Sequence, residues 1–172
     1  MELVPVKTSP QMVGLAAEFA VASELARRNI YAQPTFGALK RTDLLAFGGS
    51  ERPIRIEAKG KQGHTWPCCK GIGDRNSILV FVDFTGKAET DRADFYVLTA
   101  SDWRSLVKRR IRRLPEKGIE IDADGCPVWT TQVKNGKPYR GMGVSVSDVA
   151  TFKESWQKLE KALGRKNQGA GK

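Results

Sequence analysis

The sequence predicts an α/β (α+β) protein in which helices flank a mixed central sheet of about five strands. The segment "RPIRIEAKGKQG", residues 52–63, alternates apolar and charged residues with a period of two, which is typical of a strand with one covered face. The segment "SILVFVDF", residues 77–84, is a continuous apolar run, as expected of a strand covered on both faces. Amphipathic helical patterns before and after these strands supply the flanking layers.

The N-terminal elements follow in a clear order. Ser9-Pro10 predicts an N-cap followed by proline at the first helical position, so a helix begins here and continues to about Arg28. Strands are predicted at 29–36 and 39–47, before the alternating strand, and a further strand at 94–100. Between the alternating strand and the apolar run, residues 60–76 are predicted to form a Gly-rich, irregular loop.

The C-terminal part begins with a helix over 101–114, capped by Ser101 or Asp102. One side of this predicted helix carries its apolar residues, which are Trp103, Leu106, Val107, Ile111 and Leu114. Short strands are predicted over 119–146, with a turn at Asn135-Gly136, and Ser147 is predicted to cap a last helix that ends near Leu163. We expect one domain over residues 1–163 and a disordered basic tail over 164–172.

Composition narrows the class of protein. The 172 residues contain no apolar run near the length that spans a bilayer, and the N-terminus lacks the pattern of a signal peptide. For this reason we expect no membrane partner. Three cysteines, two of them adjacent, are typical of a protein with reduced thiols, so we expect a cytoplasmic location. The formal net charge of +10 favours a polyanionic partner, of which nucleic acid is the commonest.

The first helix holds an acid in an unexpected place. At about 100° per residue, one apolar arc is formed by Leu15, Phe19, Ala22, Leu25 and Ala26. Glu18 falls inside this arc, whereas Glu24 and Arg28 lie opposite, spaced as a solvated ion pair. A buried carboxylate needs a cation, a metal or a donor, so Glu18 is a candidate site residue. The alternative is a helix edge at which Glu18 reaches solvent.

Three further residues combine with Glu18. Asp43 is predicted in mid-strand, where an acid is disfavoured, and either it belongs to a site or it pairs with Arg41 or Lys40. A hairpin would bring Asp43 near Glu57 and Lys59 of the next strand. Mg²⁺ (or Mn²⁺) prefers a few carboxylate oxygens and retains waters, so two carboxylates and the Ala58 carbonyl predict a half-open site. Lys59 could orient or deprotonate a metal-bound water, and Glu18 could add a ligand.

The order of a helix with Glu18, "TD" at Thr42-Asp43 and "EAK" at residues 57–59 resembles the PD-(D/E)XK nuclease superfamily, which includes restriction-endonuclease-like enzymes and Holliday junction resolvases. The resemblance covers roughly residues 10–114, and Thr42 stands where the family name has proline. It implies a core of one helix, a three-strand antiparallel meander, a crossover and further strands. It also implies that Asp43 and Glu57 are metal ligands, that Lys59 is the catalytic lysine and that Glu18 is the helix acid.

Two segments are candidate nucleic-acid contacts. The basic helix predicted over 101–114 could neutralise phosphates through Arg104, Lys108, Arg109, Arg112 and Arg113. The alternative is a solvated face that aids solubility. In the loop, Lys61 continues the face of Glu57, and His64 and Trp66 could touch a backbone or a base. A zinc site built from His64 and the cysteines is disfavoured because adjacent cysteines fit a tetrahedral chelate poorly.

The expected function is therefore hydrolysis of phosphodiester bonds in DNA by a Mg²⁺-dependent endonuclease, in which cutting two strands would favour a homodimer. Two alternatives stay open. One is a non-catalytic nucleic-acid-binding module of the same fold, and the other is a protein-interaction domain whose basic face binds an acidic partner.

Overall fold

The computed structural model of the protein describes residues 8–49, 52–114 and 118–165. The helices are α1 (Pro10–Arg27), α2 (Ala100–Arg113), α3 (Val146–Val149) and α4 (Gln157–Ala162). The strands are β1 (Ala32–Pro34), β2 (Leu44–Ala46), β3 (Ile54–Lys61), β4 (Thr65–Cys69), β5 (Ser77–Asp83), β6 (Asp94–Thr99), β7 (Ile119–Ile121), β8 (Pro127–Lys134), β9 (Lys137–Arg140) and β10 (Met142–Ser145).

A five-stranded sheet in the order β1-β2-β3-β5-β6 forms the centre of the fold. β3 and β5 run parallel, and the other neighbouring pairs run antiparallel, so the sheet is mixed. The predicted α+β class and sheet size are thereby confirmed. β5 is buried over its whole length, as its continuous apolar sequence predicts.

Each face of the sheet is covered by a separate layer. On one face, α1 and α4 pack on alternate residues of the central strands, including Ile56 and Val80. On the other face, α2 and the pair β4–β10 enclose Phe81, Trp66 and Trp103. The strands β7, β8 and β9 form a third, smaller sheet. A period of two places these two residue sets on opposite faces, which is why one strand can serve both cores.

The buried face of α1 differs from the predicted apolar arc. Ser9 caps the helix and Pro10 follows, as predicted, but the residues that contact the sheet include Val13, Ala17 and Val21. Phe19 of the predicted arc is 49% exposed, and Leu15 is also exposed. Small side chains are buried here because the helix packs closely on β3: a Cβ at Gly60 would lie only 2.6 Å from the Val13 carbonyl oxygen.

Glu24 is not on a solvated face of α1, although the helical pattern predicted this position. Instead of being solvated it is buried, and its charge is balanced by Arg28 and by Arg92, whose Nε and Nη2 each donate to it at 2.8 Å. Arg92 also donates to Glu154 at 2.9 Å. We call these four residues the Glu24 cluster. Since Arg92 and Glu154 come from distant segments, the local sequence pattern could not predict this burial.

Several predicted boundaries are wrong in detail. The segment 60–76 is not one irregular loop, because β3 runs to Lys61 and residues 65–69 form β4, which pairs with β10. The N-cap of α2 is Thr99, whose side chain forms a capping box with Asp102, and neither Ser101 nor Asp102 is the cap. The predicted last helix is instead α3, a 3₁₀ turn at Ala150–Phe152 and α4.

The predicted hairpin turn at Asn135-Gly136 is present between β8 and β9, with both residues at positive φ. At the C-terminal end, Arg165 donates hydrogen bonds to the carbonyls of Arg28 and Asn29, so ordered contacts extend past the predicted limit at residue 163. The rest of the predicted tail, residues 166–172, lies outside the described residues. No helix within the described part of the chain is long and apolar enough to cross a membrane.

Candidate functional site

Asp43 lies where β2 diverges from β3, immediately before β2 and not in mid-strand as predicted. Its N–H donates to the Ile56 carbonyl at 2.8 Å, and its Oδ2 accepts from the Ala58 N–H at 2.7 Å. The carboxylate thus satisfies a backbone donor on the part of β3 that β2 does not cover. The alternative partners considered from the sequence, Arg41 and Lys40, do not hold it.

Glu57 is buried in the middle of β3, with only 4% of its surface exposed. Its Oε1 lies 2.9 Å from the Lys59 Nζ, and its Oε2 lies 3.8 Å from the Arg41 Nε. Oε2 has no hydrogen-bond partner among the described residues. Buried carboxylate oxygens are normally satisfied, so this atom is free to accept a further donor or a cation.

Glu18 reaches the same place from α1. The close packing of α1 over Gly60 brings this part of the helix against β3. Burial raises the pKa of Glu18, the nearby Asp43 carboxylate raises it further, and Lys59 acts in the opposite direction. Glu18, Asp43 and Lys59 are therefore close enough to sense one another's charge, as the sequence predicted. We call Glu18, Asp43, Glu57 and Lys59 the edge cluster.

Lys59 is the common neighbour within the edge cluster. Burial favours a lower pKa for its amine, but the charge and hydrogen bond of Glu57, with the charge of Asp43, produce a net increase. The amine is therefore a cation at neutral pH. A protonated amine suits orientation and charge stabilisation, and both roles considered from the sequence, orienting or deprotonating a water, stay predictions.

Cys69 lies beside the edge cluster and is buried. Burial raises the pKa of its thiol to about 12, although the Lys59 charge opposes this change. The thiol is thus neutral at physiological pH and is a poor nucleophile, since the thiolate is the reactive form.

The edge cluster has ligand atoms of the type that a divalent cation prefers, but they are not all gathered around one point. Three carboxylates and the Ala58 carbonyl are hard oxygen donors of the kind that Mg²⁺ prefers, and Glu57 Oε2 is unpaired. However, no three His, Cys, Asp or Glu side chains are grouped closely enough to hold a metal ion within residues 8–49, 52–114 and 118–165. Asp43 is turned to Ala58, and Lys59 and Arg41 balance Glu57.

Two residues expected to contact nucleic acid are inside the protein. Trp66 is 1% exposed, packs against Phe81 and donates its indole N–H to the Val82 carbonyl, so it cannot stack on a base. Lys61 is 5% exposed, and its Nζ lies 2.7 Å from Asp83 and 4.7 Å from the Trp66 ring centroid. These predictions are wrong because β4, which the sequence did not indicate, covers this face. His64 is exposed and stays a prediction.

The basic helix has the predicted amphipathic form. α2 buries Trp103, Leu106 and Val107, and its predicted phosphate-binding residues are at least partly exposed, namely Arg104, Lys108, Arg109, Arg112 and Arg113. Arg110 is different, because its guanidinium pairs with Asp148 at 2.8 Å. The exposed cations are accessible to a polyanion, and their role stays a prediction.

A cleft next to Glu57 was not predicted. It has a volume of about 340 Å³, and its charged lining comes from Lys40, Arg41, Arg55, Glu57, Asp74 and Asp124. Glu57 thus belongs both to the edge cluster and to the lining of this cleft. The only sequence signal was the pair Lys40-Arg41 just before Asp43, because the opposite wall comes from distant residues near 73 and 124.

Comparisons with known proteins find no match to this chain among protein-family models, characterised proteins or solved structures. The edge cluster and the cleft therefore have to be interpreted from their own chemistry.

Proposed function

We propose that the protein is a Mg²⁺-dependent nuclease that hydrolyses phosphodiester bonds in DNA at the edge cluster, as the resemblance to the PD-(D/E)XK superfamily implies. The observation that carries this proposal is the buried Glu57 carboxylate, which has an unpaired Oε2 and a lysine two residues later. Asp43 and Glu18 add carboxylates at the same open edge of β3. A buried acid without a complete set of partners costs stability, and a functional role accounts for its presence.

The chain's own residues have distinct tasks in this proposal. Asp43, Glu57, Glu18 and the Ala58 carbonyl would hold the ion, which when bound supplies Lewis-acid activation of a phosphoryl oxygen and of water. Lys59 stays protonated and stabilises the charge that develops on the phosphate. The exposed cations of α2 bind flanking phosphates and contribute affinity without sequence specificity.

Cleavage of DNA by the full chain tests the proposal. Supercoiled plasmid and a branched DNA are incubated with the protein in Mg²⁺ or in EDTA, together with the variant Asp43→Asn. We expect Mg²⁺-dependent strand breaks that the variant does not produce, because loss of the carboxylate charge weakens the cation site. A variant that cuts as fast as the wild type would exclude Asp43 from the site.

A non-catalytic nucleic-acid-binding module is the second candidate, and a specific observation favours it. Two of the three acids of the edge cluster already have protein partners: Asp43 accepts from Ala58, and Glu57 pairs with Lys59 and lies near Arg41. Such a module would bind DNA in EDTA with a steep dependence on salt. It would cut no form of DNA in Mg²⁺ or Mn²⁺.

A further inference from the structure

We propose that the cleft beside Glu57 binds a single nucleotide, with its phosphate on Lys40, Arg41 and Arg55. The proposal deepens the proposed function, because it takes this nucleotide to be an unpaired or terminal residue of the strand being cut. The ability of the cleft to bind a nucleotide does not itself depend on cleavage.

The cleft is built around an unsatisfied acceptor. Glu57 lines it, is almost fully buried and has an Oε2 without a hydrogen-bond partner in the described chain. The Arg41 Nε lies 3.8 Å from this atom, which is too far for a hydrogen bond. A ligand that enters the cleft with a hydroxyl or amino group can donate to Oε2 and remove the cost of leaving it unpaired.

Two of the three cations of the cleft have protein partners that a ligand could exchange or share: Arg41 donates from Nη2 to the Gly71 carbonyl, and Arg55 donates from Nη2 to Asp74. The nearest approach between Arg41 and Asp124 is 3.9 Å, and the Asp124 side chain is 75% exposed, so its charge is well screened by water. Arg55 pairs with Asp74 at the surface, and Lys40 is exposed. A phosphate can replace these carboxylates as the partner of the guanidinium groups, because arginine binds phosphate through paired, charge-assisted hydrogen bonds.

The mixed charge of the lining indicates the class of ligand. Three cations suit a phosphate, whereas Glu57, Asp74 and Asp124 accept hydrogen bonds from the sugar hydroxyl or the amino group of a base. A nucleotide carries both kinds of group, and inorganic phosphate at neutral pH is a poor match to the carboxylates. The volume of about 340 Å³ is at the small end of ligand pockets and too small for a duplex.

Binding in metal-free buffer tests the proposal independently of cleavage. Deoxycytidine 5′-monophosphate and inorganic phosphate are titrated calorimetrically into the full chain in EDTA, with the variants Lys40→Ala and Arg55→Gln. We expect the nucleotide to bind more tightly than phosphate, and each variant to bind it about tenfold more weakly, as expected for loss of a charge-assisted hydrogen bond. Lys161→Ala is the charge-matched control, since α4 lies on the other face of the sheet.

A second experiment tests whether the cleft binds the terminal nucleotide of a DNA strand as well as a free nucleotide. A duplex with an unpaired 5′-phosphorylated overhang should bind more tightly than a blunt duplex of equal length, and Lys40→Ala should remove that preference. Equal nucleotide affinity in wild type and both cleft variants would overturn the proposal, as would equal affinity for phosphate and nucleotide. If the nucleotide binds as expected and no DNA is cut, the cleft assignment stands and the nuclease assignment fails.

Discussion

The Glu24 cluster and the edge cluster each contain buried acid next to cations, but they differ in how completely the acid is paired. Both oxygens of Glu24 accept hydrogen bonds from arginines, which hold its pKa at about 2. Glu57 has one paired and one unpaired oxygen, and Glu18 has a raised pKa. The ion pairs of the Glu24 cluster connect α1 to segments that are distant in the sequence. The edge cluster leaves binding capacity at the open edge of β3, which is what a functional site requires.

The largest effect is expected for Lys59→Ala in the edge cluster. Removing the cation should slow cleavage by at least about 100-fold, because charge stabilisation of this kind is worth orders of magnitude in rate. Affinity for metal should survive or increase, since the carboxylates no longer have a positive neighbour that competes with the ion. Single-turnover cleavage at saturating metal measures the rate. Unchanged cleavage by this variant would remove Lys59 from the mechanism.

Glu24→Gln should affect stability and not activity. We expect the free energy of unfolding to fall by about 3 kcal/mol, because two arginines lose their buried partner. Urea denaturation measures the change, and rates per folded molecule should match the wild type. Glu89→Gln is the control: this acid is exposed, and its neutralisation should change stability by less than about 0.5 kcal/mol. Equal stability of the two variants would mean that the pairing of Glu24 with its arginines does not stabilise the fold.

The Glu24 cluster also predicts a pH dependence. The pKa of Glu24 is lowered from 4.5 to about 2 by Arg92 and Arg28, which corresponds to roughly 3 kcal/mol. Because the folded pKa is depressed, this stabilisation is present above pH 4.5 and disappears as the pH falls toward 2. Unfolding free energies measured between about pH 6 and 3 should therefore fall less steeply in Glu24→Gln than in the wild type. If the unfolding free energies of the two proteins fall in parallel with pH, the pKa of Glu24 is not lowered in the folded state.

The exposed cations of α2 should contribute to DNA affinity by a smaller, salt-dependent amount. Replacing Arg109, Arg112 and Arg113 together by alanine should flatten the plot of log affinity against log salt by about 0.9 for each phosphate that the variant no longer neutralises. Binding to a fluorescent duplex in EDTA measures this slope. Arg27→Ala with Lys161→Ala, on the other face of the sheet, should leave the slope unchanged. An unchanged slope in the triple variant would mean that the exposed cations of α2 contact solvent and not DNA phosphates.

Glu57→Gln is expected to change the free energy of unfolding less than Glu24→Gln does. Because Glu57 Oε2 is unpaired, neutralising the side chain removes a desolvated charge together with the Lys59 ion pair, and these changes offset each other. We expect a change within about 1 kcal/mol. A destabilisation as large as that of Glu24→Gln, measured by urea denaturation, would mean that both clusters are structural.

The sequence predicted those features that depend on local pattern. The apolar run of β5, the cap of α1 and the strand that carries Glu57 and Lys59 all follow from neighbouring residues. The face of α1 could not be predicted, because the buried Glu24 is paired with the distant Arg92, which Glu154 also binds. Likewise Trp66 and Lys61 were interpreted as binding residues because nothing local indicates that residues 65–69 pair with β10.

Calorimetric titration of Mn²⁺ into the wild type, Asp43→Asn and Lys59→Ala tests whether the edge cluster binds a divalent cation. We expect binding to the wild type, binding at least as tight to Lys59→Ala, and affinity at least about tenfold weaker in Asp43→Asn, which loses a ligand charge. A folded wild-type protein that binds DNA but gives no Mn²⁺ binding would contradict this expectation. The edge cluster would then be a set of structural ion pairs, like the Glu24 cluster.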